Sequence, residues 1–234
     1  MSKKAVITGA SKGIGRAIAE SLAAEGYDLA LCARNAETLR DCKTALEKAF
    51  PERQILTFSA DLSKKEEVLN FGECVKKEWN KIDVLVNNAG VFLPGEIGNE
   101  PDGQIETQIE TNLYSAYYLT RTLLESILLA EGHIFNMCSV ASIKAYPNGG
   151  SYSISKFALL GFSKCLREEL REQQVKVTSI LPGATWSDSW AGVDLPETRL
   201  MQARDIAQTV VAALKMSKSA VVEEILIRPQ LGDL

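Results

Sequence analysis

The chain has 234 residues, 46% of them hydrophobic and 24% charged, with a formal net charge of −4. That length and balance suit one α/β domain with a substantial core, and the acidic balance with scattered Lys and Arg argues against a nucleic-acid partner. No stretch is long and apolar enough to span a membrane, and "MSKKAVITGA" runs into a strand without a leader-like apolar core, so a cytoplasmic location is expected.

The predicted elements alternate along the chain. "KAVITG" reads as a strand and residues 14–24 as a helix. "DLALCA" is a strand followed by the helix "NAETLRDCKTALEKAF". "QILTFSA" is a strand followed by the helix "SKKEEVLNFGECVKKEW". "IDVLVNNAG" is a strand that ends in a loop. A long helix over 102–130 follows, then the strand "HIFNMCS" and a second long helix over 151–173. "VKVTSILPG" and "AVVEEILIRP" complete about seven strands. Nearly all are apolar, as strands covered by helices on both faces must be. The alternation predicts a doubly wound parallel sheet with right-handed crossovers and helices on both faces. No repeat, linker or low-complexity tract divides the chain, so residues 1–234 are read as one domain. Residues 186–200, "WSDSWAGVDLPETRL", break the alternation and read as an irregular excursion over the sheet edge.

The cysteines, Cys32, Cys42, Cys74, Cys138 and Cys165, are odd in number and widely spaced, with no CxxC. With His133 as the single histidine, no metal site and no Ser-His-Asp constellation is expected, and the thiols read as free and largely buried.

Two short stretches carry chemistry. "TGASKGIG", residues 8–15, places Gly9, Gly13 and Gly15 in a turn between the first strand and the first helix. There a dinucleotide pyrophosphate would meet a helix N-terminus, and glycine lets backbone approach phosphate without a Cβ between them. A tight turn alone would also explain these glycines. "SYSISKFALLGF", residues 151–162, places Tyr152 and Lys156 one helical turn apart on one face. Taken alone, such a pair can equally be a solvated surface feature.

"TGASKGIG", "NNAG" at 87–90, Ser139 at a strand end thirteen residues before Tyr152, "YSISK" at 152–156 and "LPG" at 181–183 occur in order. On these motifs, which cover nearly the whole chain, the sequence resembles the short-chain dehydrogenase/reductase family. The resemblance implies a Rossmann-type domain and hydride transfer between a nicotinamide cofactor and a substrate carbonyl. It implies Ser139, Tyr152 and Lys156 as catalytic residues, with Asn112 in "ETNLYSAYY" as a fourth that shapes the long helix and positions a water behind Lys156. Ser139 would hydrogen-bond the carbonyl oxygen, Tyr152 would supply the proton, and Lys156 would also hold the nicotinamide ribose. The implied cofactor contacts are Gly9, Ser11, Lys12, Gly13, Ile14 and Gly15 in the turn, Arg34 after the second strand, Asp61 and Leu62 at the adenine, and Asn88, Ala89 and Gly90 beside the adenosine ribose. Tyr152, Lys156, Pro182, Gly183 and Thr185 complete them at the nicotinamide.

Where NAD-preferring folds carry an acid, this chain has Ala33 followed by Arg34. A carboxylate would repel a 2′-phosphate, whereas a guanidinium binds one through two N–H donors. With Lys12 in the turn, this favours NADP(H). A free tyrosine has a pKa of about 10, and the Lys156 ammonium is expected to lower that of Tyr152 towards the range useful for acid–base work.

Val140, Ala141, Ile143, Tyr146, Trp186 and Trp190 are candidates to line the substrate side. The two tryptophans could form an aromatic lid for an apolar substrate, or simply pack the 186–200 segment onto the domain. "RPQLGDL" after the last strand differs from the ending common among β-ketoacyl-carrier-protein reductases of this family, and "TWSDSW" departs from the usual start of the lid. An NADPH-dependent reductase of ketones and aldehydes is therefore the leading expectation. A β-ketoacyl-thioester reductase is the alternative, and a non-catalytic nucleotide sensor a third class. Relatives pair their long helices, so a homodimer or homotetramer through 103–130 and 151–173 is expected.

Overall fold

The computed structural model describes residues 2–186 and 196–233. Its sheet contains β1 (Lys4–Thr8), β2 (Asp28–Ala33), β3 (Ile55–Ser59), β4 (Val84–Asn87), β5 (His133–Met137), β6 (Lys176–Pro182) and β7 (Glu224–Ile227). All pairings are parallel, in the order β3-β2-β1-β4-β5-β6-β7. The chain winds outward from β1 to β3, then returns to place β4 beside β1. That reversal opens a crevice at the carboxyl ends of β1 and β4, where doubly wound folds bind their ligands.

Alternation along each strand sends side chains to two separate cores. Ile7, Leu29, Leu31, Phe135 and Ile180 pack on one face against α1 (Gly13–Ala24), α2 (Ala36–Ala49) and α7 (Ala203–Leu214). Val6, Ala30, Leu85, Ile134 and Val177 pack on the other against α3 (Lys65–Glu78), α5 (Ser115–Leu128) and α6 (Gly150–Leu170). This two-sided burial is why the strands read as continuous apolar runs.

Three elements differ from the sequence reading. The helix expected over 102–130 is two helices, α4 (Gln104–Ile109) and α5, joined by one widened π-helical turn, Glu110–Tyr114. Helix α7 falls in a stretch to which no element had been assigned. It buries Ile206, Ala207, Val210 and Ala213 against the first core. The last strand is only four residues long and alternates exposed with half-buried positions, because β7 is an edge strand with one uncovered face. No helix among the described residues is long and apolar enough to cross a membrane.

Candidate active site

The glycine turn is shaped by contact with the loop after β4. The Thr8 hydroxyl accepts hydrogen bonds from the Asn88 and Ala89 N–H groups, both at 2.9 Å. The Asn88 side-chain amide donates to the carbonyls of Thr8 at 2.8 Å and Gly9 at 3.1 Å. Gly9 and Gly13 have φ of 63° and 56°, a region that side chains rarely enter. Gly15 is required by space instead: a Cβ there would stand 2.2 Å from the Gly9 carbonyl oxygen and 2.5 Å from the Asn88 amide nitrogen. The first turn of α1 has neither a side-chain cap nor an acidic residue, which leaves a helix N-terminus suited to an anion. These features fit a dinucleotide pyrophosphate.

Ser11, half-buried, and Lys12, exposed, precede Gly13 in this turn. Arg34 is exposed just beyond β2, and its carbonyl accepts from the Ser59 hydroxyl at 3.0 Å. Burial acts to raise the pKa of Asp61, but hydrogen bonds from the Ser63 hydroxyl and N–H, with the nearby Arg34 charge, outweigh it and hold the carboxyl below its ordinary value. The Leu62 side chain is buried in the second core, so only its backbone is available to a ligand.

At the ends of β4, β5 and β6 lies a pocket of about 480 Å³. It brings together Ile14, Asn88, Gly90, Ser139, Val140, Tyr146, Tyr152, Lys156, Pro182, Gly183 and Thr185, which are far apart in sequence. Ser139 caps a 3-10 turn, Val140–Ser142, and its Oγ accepts from the Ala141 N–H at 3.1 Å. Tyr152 and Lys156 rise from the first turns of α6. The Lys156 ammonium is buried, donates to the Met137 carbonyl at 2.8 Å, and lies 5.8 Å from the centre of the Tyr152 ring. Phe92 and that ring pack edge to face, 4.9 Å between centroids.

Asn112 sits within the widened turn between α4 and α5. Its Oδ1 accepts from the Val91 N–H at 2.7 Å, and its Nδ2 donates to the Val91 carbonyl at 3.0 Å and the Ser155 hydroxyl at 2.9 Å. A Cβ on Gly90 would lie 3.2 Å from Asn112 Oδ1 and 3.5 Å from Lys156 Nζ. Asn112 therefore ties the loop after β4 to the helix that carries Tyr152 and Lys156.

The electrostatics correct one expectation. Burial pushes the Tyr152 phenol up to about 12, although the Ser139 hydrogen bond acts to lower it. Burial also pushes the Lys156 ammonium down to about 8. Burial decides the direction of the Tyr152 shift, and the Lys156 ammonium does not reverse it.

The substrate side also differs in part. Val140 and Tyr146 line the pocket, but Ala141 is fully buried and holds Ser139 through its N–H. Ile143 and Trp186 are exposed outside the lining, and the Trp186 backbone N–H donates to the Met201 carbonyl at 2.8 Å. Trp190 lies outside the described residues. Seven residues that the sequence did not single out for the site also line the pocket: Val91, Phe92, Met137, Cys138, Lys144, Ala184 and Asp233. Phe92 follows "NNAGV" closely enough for the loop itself to have flagged it. No local pattern marks Asp233. Among the described residues no cluster of His, Cys, Asp and Glu could hold a metal ion.

The model of the short-chain dehydrogenase family matches residues 3–197. The chain belongs to that family, and it is an oxidoreductase that acts on carbonyl substrates with a nicotinamide cofactor. Among its relatives is a sepiapterin reductase of Chlorobaculum tepidum, 34% identical over 98% of this chain and 97% of that protein. The fold is similar to the alcohol dehydrogenase of the archaeon Thermococcus sibiricus complexed with 5-hydroxy-NADP, with a TM-score of 0.92 and 29% identity over 99% of this chain and 98% of that one. It is also similar to the L-sorbose reductase of Gluconobacter frateurii complexed with NADPH and L-sorbose. The TM-score there is 0.90, with 26% identity over 97% of this chain and 95% of the other.

Proposed function

We propose that this protein is an NADPH-dependent reductase of ketones or aldehydes that works through Ser139, Tyr152 and Lys156. The observation that carries the reading is the convergence of these three side chains and the Pro182–Thr185 loop on one pocket. When bound, the cofactor supplies the hydride from its nicotinamide C4 and, once oxidised, a positive charge beside the phenol. Ser139 orients the substrate by donating its hydroxyl to the carbonyl oxygen. Tyr152 gives that oxygen its proton. The raised phenol pKa keeps the proton in place until negative charge develops on the oxygen. Lys156, fixed by the Met137 carbonyl, holds the ribose and stabilises the phenolate that remains. Asn112 holds the loop after β4 against α6.

NADP(H) is favoured over NAD(H) by Arg34 and Lys12 at the end of the cleft that would meet a 2′-phosphate, with Ala33 where a carboxylate would stand. The names of the relatives, among them complexes with NADP and NADPH, support this preference. The apolar lining residues Phe92, Val140 and Tyr146 favour apolar carbonyl substrates. Exposed apolar residues on the paired long helices, Ile105, Tyr114 and Tyr117 with Ile154 and Phe157, favour a homodimer or homotetramer through 103–130 and 151–173. Sedimentation as a monomer would overturn that assembly.

The test is NADPH consumption against apolar ketones and aldehydes and, in parallel, β-ketoacyl thioesters. The free carbonyls should be turned over, and Tyr152→Phe should lose about 10²–10⁴ of the rate while keeping NADPH affinity. Turnover confined to thioesters would move the assignment to a ketoacyl reductase. Full activity in Tyr152→Phe would remove the phenol from the mechanism.

A further inference from the structure

Asp233 is the acidic side chain, among the described residues, that lines the pocket of Ser139, Tyr152 and Lys156. It reaches the pocket because residues 229–233 fold back along the loop after β6. The Gly183 N–H donates to the Ile227 carbonyl, and the Gly232 N–H to the Pro229 carbonyl, both at 2.8 Å. A Cβ on Gly183 would stand 3.2 Å from Asp233 Oδ1 and 3.1 Å from Pro229 Cδ, so the glycine is what lets this segment lie close.

Two guanidinium groups fix the segment. Arg228 binds Asp233 Oδ2 at 2.8 Å. Arg199 donates to the carbonyls of Gly232 at 2.9 Å and Asp233 at 3.1 Å. Arg199 precedes Leu200 and Met201, and Met201 is in turn bonded through its backbone to Ala184 and Trp186. The loop after β6, residues 199–201 and residues 229–233 thus form one wall. Such bracing fixes where Asp233 stands, which a specificity contact requires.

We propose that Asp233 is a specificity-determining residue of the substrate pocket, favouring carbonyl compounds that carry an amine cation over keto acids. The inference rests on the carbonyl-reductase reading above. Arg228 engages one carboxylate oxygen and leaves Oδ1 over Gly183, in the wall of the pocket that also holds Ser139, Tyr152 and Lys156. A substrate ammonium gains a charge-assisted hydrogen bond there, while a substrate carboxylate meets a like charge. Among the described residues the other charged lining groups are Lys156, which is buried and held by Met137, and Lys144, which is exposed and would act in the opposite sense.

The experiment uses three aryl methyl ketones of matched size: one with an aminomethyl group, one uncharged and one with a carboxylate. Asp233→Asn should lower the kcat/KM ratio of the amine to the carboxylate compound about tenfold, the effect of one partly screened charge. The rate with the uncharged ketone is the reference that separates a lost charge contact from a general loss of turnover. Lys144→Gln should move the ratio the other way. Turnover of all three ketones with a ratio unmoved by Asp233→Asn, or a charge preference set by Lys144 alone, overturns this inference and leaves the carbonyl reading standing. Turnover of none of them, with NADPH still bound, overturns both.

Discussion

Replacing Lys156 by methionine should change how stability depends on pH. Burial lowers the native ammonium from its ordinary 10.5 to about 8. Held protonated at pH 7, it costs the native state about 3 kcal/mol relative to the unfolded chain. A lysine with a depressed native pKa leaves the unfolded chain with more bound protons between pH 8 and 10.5. Wild-type stability therefore rises with pH across that window, by about 2 kcal/mol between pH 7 and 9.5, and the methionine variant lacks this gain. Losing the donor to the Met137 carbonyl also costs the variant about 1–3 kcal/mol, but equally at both pH values. The quantity to measure is thus the difference between the two proteins. Urea unfolding without cofactor should show it shifting by about 2 kcal/mol in favour of wild type on going from pH 7 to 9.5. Tyr152, raised to about 12, weakens both proteins as pH climbs past 10, so the comparison stops below that. A difference that stays constant with pH would show that Lys156 carries no such burial cost.

Arg34→Ala should raise the KM for NADPH about tenfold and leave that for NADH nearly unchanged, as expected for loss of a charge-assisted phosphate contact; equal effects on both would remove Arg34 from cofactor selection. Gly15→Ala puts a Cβ 2.2 Å from the Gly9 carbonyl oxygen and 2.5 Å from the Asn88 side-chain nitrogen. It should cost about 1–3 kcal/mol in urea unfolding and weaken NADPH binding seen by fluorescence, whereas a variant that binds normally would show that the turn can relax. Asn112→Ala leaves the Val91 N–H and carbonyl without their side-chain partner and removes a donor from the Ser155 hydroxyl, which keeps its bond to the Tyr152 carbonyl. A stability loss of about 2–4 kcal/mol with a fall in kcat is expected, and an unchanged kcat would confine Asn112 to a folding role.

The strands were legible because each is a short apolar run between helical patterns, a signal that survives without tertiary context. Gly9, Gly13, Asn88, Ser139, Tyr152 and Lys156 were legible because their spacing is fixed by local turns and one helical repeat. Helix α7 was also written in the chain, in the spacing of Ile206, Val210 and Ala213, but the irregular stretch before it obscured the pattern. Other features depend on distant segments. Ala141 looks like a pocket residue from its place after Ser139, yet its burial is set by the elements around it. Asp233 joins the pocket only through Arg199 and Arg228, thirty-four and five residues away in the chain. The direction of the Tyr152 pKa followed from the sum of burial and charge, and the sequence displays only the charge.

The widened turn at Glu110–Tyr114 has a consequence for insertions and deletions. A regular helix advances about 100° per residue, so one surplus residue sets α5 out of phase with α4 by that angle. Asn112 lies within this turn and bonds Val91 and Ser155 from it. Deleting one residue from 110–114 would splice the two helices into a single continuous rod and swing the amide off its partners. Helix content by circular dichroism should then be preserved while turnover is lost, so in this stretch the protein is sensitive to rotational frame rather than to length.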